Sequence, residues 1–314
     1  MPGTTTALRI RDHSGTLHLL DVGLTEPDDR EVTVELTYAG VNPVDSYIAQ
    51  GMVSPDGPVP RTLGGEAAGT LDGRPVLVAG AGLGSTRDGV WARQAVVPRE
   101  AVLPLPAGVD PQQAASAGVA GLTAWSTVVE VAGVSAADRV VVLGASGGVG
   151  LPIVALAASY GAEVWGQTRS GEHASALTEL GATGALVTDA EGLADALGSL
   201  RPTVVIDALG GDYVSPALGA LAPYGRYVVF GTTAGADVQL NWQAVYRSSL
   251  SVLGYGGLVL DADERRRRLQ HVLRALAEGR MTIPVSRTVP LKDGTTIFDT
   301  PEDAPPGKTL LQLS

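Results

Sequence analysis

The stretch Val140-Val141-Val142-Leu143-Gly144-Ala145-Ser146-Gly147-Gly148-Val149-Gly150 constrains this chain more than any other. A short β-branched run bounded by small residues reads as a fully buried strand. The glycines after it let the backbone turn tightly and approach a ligand with no side chain in the way. Leu151 to Tyr160 is apolar enough for a helix packed on a sheet, and Pro152 falls in its first turn, where proline is tolerated. A helix N-terminus behind such a turn suits a pyrophosphate. Glycine turns also serve tight packing, so the next segment matters. A second strand, Glu163-Val164-Trp165-Gly166-Gln167, begins after Gly161, at the spacing of a dinucleotide-binding βαβ unit.

The same alternation of strand and helix continues downstream. Ala185–Val187, Thr203–Asp207, Tyr227–Gly231 and Leu250–Gly254 read as strands, with helical segments at Ala174–Leu180 and Leu193–Leu200. This implies a doubly wound parallel sheet, with ligands at the carboxyl ends of its strands. The first hundred residues differ. Short apolar or alternating pieces at 8–20, 31–39, 76–78 and 95–97, separated by glycine-rich turns, predict an antiparallel β-rich module. Asn42–Tyr47 reads as a turn entering a short helix. The tail segments Val285–Val289 and Leu310–Leu313 are strand-like and are expected to rejoin that module. Residues 263–278 form an amphipathic helix. Its run Arg265-Arg266-Arg267-Arg268 is expected to be a solvated face near Asp261, Asp263 and Glu264.

Composition narrows the function classes. The 314 residues contain no cysteine, which excludes disulfides, thiolate catalysis and Cys-ligated zinc, and fits a cytoplasmic protein. A net charge of −11 disfavours nucleic acid as a partner. No signal peptide and no membrane segment is expected. Only Lys292 and Lys308 are lysines, so nearly every cationic role falls to arginine.

Four stretches then carry a resemblance: Gly40-Val41-Asn42-Pro43-Val44-Asp45-Ser46-Tyr47, Leu63-Gly64-Gly65-Glu66-Ala67-Ala68-Gly69, Gly121-Leu122-Thr123-Ala124, and Gly144–Gly150, with Gly307-Lys308 as a closing motif. Together they resemble the zinc-independent quinone oxidoreductases of the zeta-crystallin type, within the medium-chain dehydrogenase/reductase superfamily. The resemblance implies an α/β protein with a GroES-like β-rich catalytic domain (1–117), a Rossmann NADP-binding domain with a doubly wound parallel sheet (118–254), and a return segment (255–314) completing the catalytic domain. Zinc-dependent members carry a cysteine at or near Asn42 and a histidine at Gly65, so no metal is expected here. Without a Lewis acid to hold an alkoxide, alcohol oxidation loses its usual driver, which points toward reduction.

An NAD site of this fold places Asp or Glu at the end of the second strand, where this chain has Thr168. Arg169 can fork onto a 2′-phosphate and Ser170 can donate to it, so the expected cofactor is NADPH, with help from His173. The resemblance further implies cofactor contacts from Tyr47, Thr123, Ser146, Gly147, Gly148, Val149, Gly166, Gly231, Thr232, Tyr255, Gly256, Gly257 and Lys308, and a catalytic role for Asn42 and Tyr47. Asn42 could instead cap the following helix, and Asp45 is expected to stabilise that helix's N-terminus.

Three functional readings stand at this level. One is hydride transfer from NADPH to a quinone. Another is reduction of an activated C=C bond in an enone or enoyl thioester. Against the thioester version, the enoyl-thioester reductases that resemble this chain carry a tyrosine after the Gly-Met step, whereas Gly51-Met52 is followed here by Val53, and no basic patch suits a coenzyme A tail. The third is a non-catalytic NADPH-binding structural or regulatory protein. The resemblance also implies a homodimer joined at the strand around Ser251–Leu253, an edge apolar enough to need cover.

Overall fold

The computed structural model describes residues 3–299 and 304–314. The chain divides into two compact units: residues 1–120, 261–277 and 285–314 in the first, and 121–260 with 278–284 in the second.

In chain order the first unit opens with β1 (Thr4–Ile10), β2 (His18–Gly23), β3 (Glu31–Val41), β4 (Arg61–Thr62), β5 (Glu66–Leu71), β6 (Arg74–Ala79), β7 (Gln94–Pro98) and β8 (Val102–Pro104). The second unit contributes β9 (Arg139–Leu143), β10 (Glu163–Thr168), β11 (Gly184–Val187), β12 (Val204–Asp207), β13 (Arg226–Val229) and β14 (Ser251–Gly254). The chain returns to the first unit as β15 (Val285–Pro290) and β16 (Lys308–Gln312).

β3 is the organising strand of the first unit. It pairs antiparallel with β5, β7 and β16, within a sheet ordered β15-β16-β3-β5-β6-β8. A second, three-stranded sheet runs β2-β1-β4. Alternate residues of β3, among them Val32, Val34 and Leu36, are buried with Leu8, Ile10, Val78 and Trp91 in one core. The tail strand rejoins this module as expected: Leu310 lies opposite Gly40 and Thr309 opposite Val41.

The second unit is a six-stranded, all-parallel sheet ordered β11-β10-β9-β12-β13-β14. The order reverses between β9 and β12, the crevice where doubly wound sheets bind dinucleotides. Val140 to Leu143 are fully buried, as a strand covered on both faces requires. Asp138 ties the strand beginnings together. Burial alone would raise its carboxyl, but hydrogen bonds from Thr203 and Ser135 and the Arg226 guanidinium outweigh that and hold it low.

One expectation needs correction. The arginines of the helix Ala262–Ala277 are not simply a solvated face. Arg268 is 8% exposed and paired with Glu264, while Arg266 Nη1 donates to the carbonyls of Glu100 (3.3 Å) and Val102 (3.2 Å). Arg266 thus donates to the turn Arg99–Ala101 and to β8 of the same unit, while Arg268 pairs along its own helix. No helix among the described residues is long and apolar enough to cross a membrane.

Candidate functional site

The glycine-rich turn follows directly from the end of β9. Gly144 adopts φ +71°, which reverses the chain, and Gly147 N donates to Gly144 O at 3.1 Å to close the turn. The helix Gly150–Ser159 starts there. A Cβ at Gly150 would lie 2.4 Å from Gly144 O and 2.6 Å from both the Cα and O of Ala145. Only glycine lets the helix begin this close to the strand it leaves. Ser146, Gly148 and Val149 are half-buried and Gly147 is exposed, so the turn is open to a ligand along its rim. A compact turn of this kind, at a sheet's switch point and ahead of a helix, suits a pyrophosphate, and the residues present fit a dinucleotide.

The end of β10 closes on the same turn. Thr168 is 2% exposed, and its Oγ1 lies 3.3 Å from Ser146 Oγ and accepts from Ser170 N at 3.3 Å. Gly166 sits below, where a Cβ would reach 2.9 Å from Ala145 Cβ. No carboxylate stands at this strand end. Arg169 is exposed, and the half-buried His173 lies in the single 3-10 turn that follows. Gln167 was not anticipated. It is 1% exposed, accepts from Gly144 N at 3.0 Å and donates to Thr188 O at 2.6 Å, so one amide ties three strand ends together.

Across the switch point, Asp207 ends β12 and holds the loop behind it. Its carboxylate accepts from Leu209 N (2.7 Å), Gly210 N (3.0 Å) and Tyr227 OH (2.5 Å). Burial raises the Asp207 carboxyl above its ordinary range, against the pull of those three donors. Gly231 packs on this loop, where a Cβ would come 2.7 Å from Ala208 O. Thr232 is exposed beside it, and Thr232 Cα would lie 3.2 Å from a Cβ at Gly210. Tyr255 N donates to Val229 O at 2.9 Å, carrying Gly256 and Gly257 past the end of β13. Thr123 lies in the helix Leu122–Trp125, where its carbonyl accepts from Thr127 Oγ1.

The first unit brings together a different kind of site. Asn42 follows the last residue of β3 and is the N-cap of the helix Pro43–Ala49. Its Nδ2 donates to Glu66 Oε1 at 2.7 Å, and its Oδ1 accepts from Lys308 Nζ at 2.6 Å. Lys308 also donates to Val41 O at 2.7 Å and lies 3.8 Å from Glu66 Oε1. Glu66 Oε2 accepts from Val119 N at 2.8 Å. Asp45 Oδ2 accepts from Asn42 N at 2.8 Å, fixing the helix entry. Asn42, Asp45, Glu66 and Lys308 are all at most 4% exposed.

Such burial perturbs every ionisable member. Desolvation raises Glu66, opposed by the Lys308 ammonium and the Asn42 amide. It lowers Lys308, opposed by Glu66 and Asp45. Asp45 is pushed up to about 7 by desolvation and by the nearby Glu66, against its bond from Asn42 N. Tyr47 lies two residues beyond Asp45 on the same helix, about half a turn around from it, and is 36% exposed.

A family model described as "Zinc-binding dehydrogenase" matches residues 148–277. The chain is 30% identical over 315 residues to a phenolphthiocerol/phthiocerol polyketide synthase of Mycobacterium tuberculosis, a match spanning 93% of this chain and 14% of that much longer protein. It is 28% identical over 244 residues to human quinone oxidoreductase, covering 74% of each. Its fold superposes on an NAD-dependent alcohol dehydrogenase structure with a TM-score of 0.88 and 26% identity, over 98% of this chain and 100% of that one. The chain belongs to the medium-chain dehydrogenase/reductase superfamily.

Members of this superfamily are oxidoreductases, and the family model's name raises the question of zinc. The donor set present does not suit that ion. The chain has no cysteine, Gly65 has no side chain to offer, and Glu66's two oxygens are engaged by Asn42, Val119 and the Lys308 ammonium. Among the described residues no group of three His, Cys, Asp or Glu could hold a metal. Glu66 was not anticipated as a site residue from the sequence, although a signal was present. A lone carboxylate inside Leu63-Gly64-Gly65-Glu66-Ala67-Ala68-Gly69 has to be buried. Gly40 and Gly118 make the room: Cβ atoms there would come 2.3 Å from Glu66 Oε1 and 3.1 Å from Glu66 Oε2.

Proposed function

We propose that this protein is an NADPH-dependent reductase that passes hydride to a quinone. The observation that carries this reading is the end of β10, where Thr168, Arg169 and Ser170 stand in place of a carboxylate, with Arg169 exposed beside the glycine turn. A guanidinium there forks onto a 2′-phosphate, whereas an NAD site uses an acid at that place. The second unit would hold the dinucleotide through Ser146–Val149, Gly166, Thr168–Ser170, His173, Gly231, Thr232 and Tyr255–Gly257, with Thr123 contributing from its helix. Bound there, the dihydronicotinamide supplies hydride. In the first unit the Asn42 amide would donate to the acceptor's carbonyl oxygen, and the Tyr47 phenol would guide the proton that completes the product. A quinone needs no metal for this, because its own carbonyl draws electron density as hydride arrives.

The likeness to a polyketide synthase favours a second reading, reduction of a C=C bond conjugated to a carbonyl, since growing polyketides are carried as thioesters. Both readings share the cofactor and the Asn42 donor. Oxidation of NADPH and NADH, followed with 1,4-benzoquinone, 9,10-phenanthrenequinone and a simple enone as acceptors, separates them. Quinone turnover with NADPH and silence with the enone is the expected result. Turnover of the enone alone selects the second reading, and tight NADPH binding without turnover leaves a non-catalytic binder. In Arg169→Ala, NADPH affinity is expected to fall roughly 10- to 100-fold, the value of a hydrogen bond to a charged group, with NADH affinity unchanged. Equal loss for both cofactors refutes the 2′-phosphate assignment.

A second copy of the chain is the proposed partner. β14 hydrogen-bonds β13 on one side within its sheet, and Val252 on it is 41% exposed. Sedimentation of the wild type against Val252→Asp tests this, with a shift from dimer to monomer expected.

A further inference from the structure

The parallel ladder between β9 and β10 ends with Val142 opposite Gly166. Beyond it the chain turns away at Gly144, whose N–H loses the partner that a continuing strand would give it. Gln167 takes up both amides at this departure. Its main-chain oxygen accepts from Ala145 N at 2.9 Å, and its side-chain Oε1 accepts from Gly144 N at 3.0 Å. On the far side of β10 its Nε2 donates to Thr188 O at 2.6 Å, just past the end of β11, where Thr188 N donates to Thr168 O at 3.0 Å. A backbone N–H only donates and a carbonyl only accepts, so the two partners fix which end of the carboxamide faces which strand. The residue is 1% exposed, which leaves little solvent to replace either bond.

We propose that Gln167 is a positioning residue for the dinucleotide: by tying the first amide of the glycine turn to the chain beyond β11, it holds Ser146–Val149 in the shape a pyrophosphate requires. The proposal rests on the reading of that turn as the dinucleotide site and lies wholly within the second unit. Gln167 acts through its neighbours, since both ends of its buried amide are engaged by the chain itself. Its task differs from that of Arg169, three atoms of main chain past Thr168. A guanidinium there separates a phosphorylated ribose from a plain one, whereas Gln167 acts on the pyrophosphate that NADPH and NADH share. The hydroxyl contact between Thr168 and Ser146, at 3.3 Å, runs beside this tie without reaching Gly144 N.

Gln167→Met tests this in the full-length protein, because it keeps the length of the side chain and removes both hydrogen bonds. Four ligands are titrated against wild type and variant: NADPH, NADH, ADP-ribose and adenosine 2′-monophosphate, the last having no pyrophosphate. The variant is expected to bind the first three ~10-fold more weakly, by a common factor that leaves the NADPH-to-NADH ratio unchanged. Affinity for adenosine 2′-monophosphate is expected to stay within about 2-fold of the wild type, a result that general loosening of the unit would not give. Amide hydrogen exchange without ligand supplies a second readout. In the wild type Gly144 N–H is expected to exchange about as slowly as Val142 N–H within β9, and in the variant at least ~10-fold faster.

Unchanged affinity for NADPH and NADH in Gln167→Met overturns the proposal. Equal weakening of all four ligands also overturns it, since Gln167 would then only stabilise the unit. A loss confined to NADPH and adenosine 2′-monophosphate does so too, by moving Gln167 to the 2′-phosphate. If the variant does not fold, the wild type decides: exchange at Gly144 at least ~100-fold faster than at Val142 means that no such tie is kept in solution. A wild type that binds none of the four ligands refutes the dinucleotide site itself, an outcome distinct from a wild type that binds them and a variant that binds them equally well.

Discussion

The two candidate sites of this protein are built from different materials. In the second unit, the turn is made of backbone, and the consecutive residues Val140–Gly150 supply strand, reversal and helix start. In the first unit, the site is made of charged and amide side chains drawn from distant strands. Lys308 and Asn42 are 266 positions apart, and Glu66 lies 24 from Asn42. A backbone site tolerates almost any side chain that stays out of its way and is broken by a single added carbon. A side-chain site has room for substitution in volume but fails when one member of its charge balance is removed.

The sharpest way to break the contrast is Glu66→Leu. It keeps the volume and removes the carboxylate, leaving the 3% exposed Lys308 ammonium without its ion-pair partner. Breaking a buried pair from one side costs ~3–5 kcal/mol. Urea unfolding is expected to show a loss of that size with an unchanged slope. A loss below about 1 kcal/mol, the range of surface pairs, would mean that solvent reaches the cluster.

Gly150→Ala probes the other plan with one methyl group. The new Cβ would press on Gly144 O and both Ala145 backbone atoms, none of which is the end of a flexible side chain. Overpacking of this kind costs about 1–3 kcal/mol. The effect on cofactor binding should be the larger one, because relief requires the turn itself to open. NADPH fluorescence titration is expected to show affinity reduced at least ~10-fold, while the same substitution at Gly219, where a Cβ meets nothing within 4 Å, leaves affinity unchanged.

The same difference explains what the sequence disclosed. The turn, the parallel sheet and the return of the tail strand were legible because each rests on local pattern: a β-branched run, glycine spacing, alternation of strand and helix. Thr168 as the end of β10 followed from counting along one strand. The charged cluster was legible only in pieces. Asn42 and Lys308 came from motifs, but nothing local says that Lys308 Nζ faces Asn42, because that contact depends on β16 lying beside β3. Gln167 and the Asp207–Tyr227 pair were missed for a related reason. A buried polar side chain takes its partners from neighbouring strands, and register is a property of the sheet. The arginine run misled because charge predicts solvent, whereas Arg266 and Arg268 reach backbone and carboxylate through long stems.

The smallest expected effect sharpens the comparison through pH. Asp45 is 3% exposed, with its carboxyl pushed up to about 7 from an ordinary 3.8 by desolvation and then by Glu66, against its bond from Asn42 N. A carboxyl raised in the folded state favours the folded form while it is protonated. That contribution is complete below the unfolded value near 3.8 and is lost as pH rises through about 7. The shift bounds the effect at no more than about 4 kcal/mol, and roughly 1–2 is expected once relaxation of the site is allowed for. Asp45→Asn keeps an acceptor for Asn42 N and cannot ionise. Between pH 5 and pH 8 the wild type should therefore lose stability that the variant keeps, and the variant should be the more stable at pH 8. The backbone-built turn holds no titrating group, so Gly150→Ala should be destabilised relative to the wild type by the same amount at both pH values. Parallel pH profiles for Asp45→Asn and the wild type would show that the cluster's charge is already relieved by solvent, and with it the distinction between the two sites would fall.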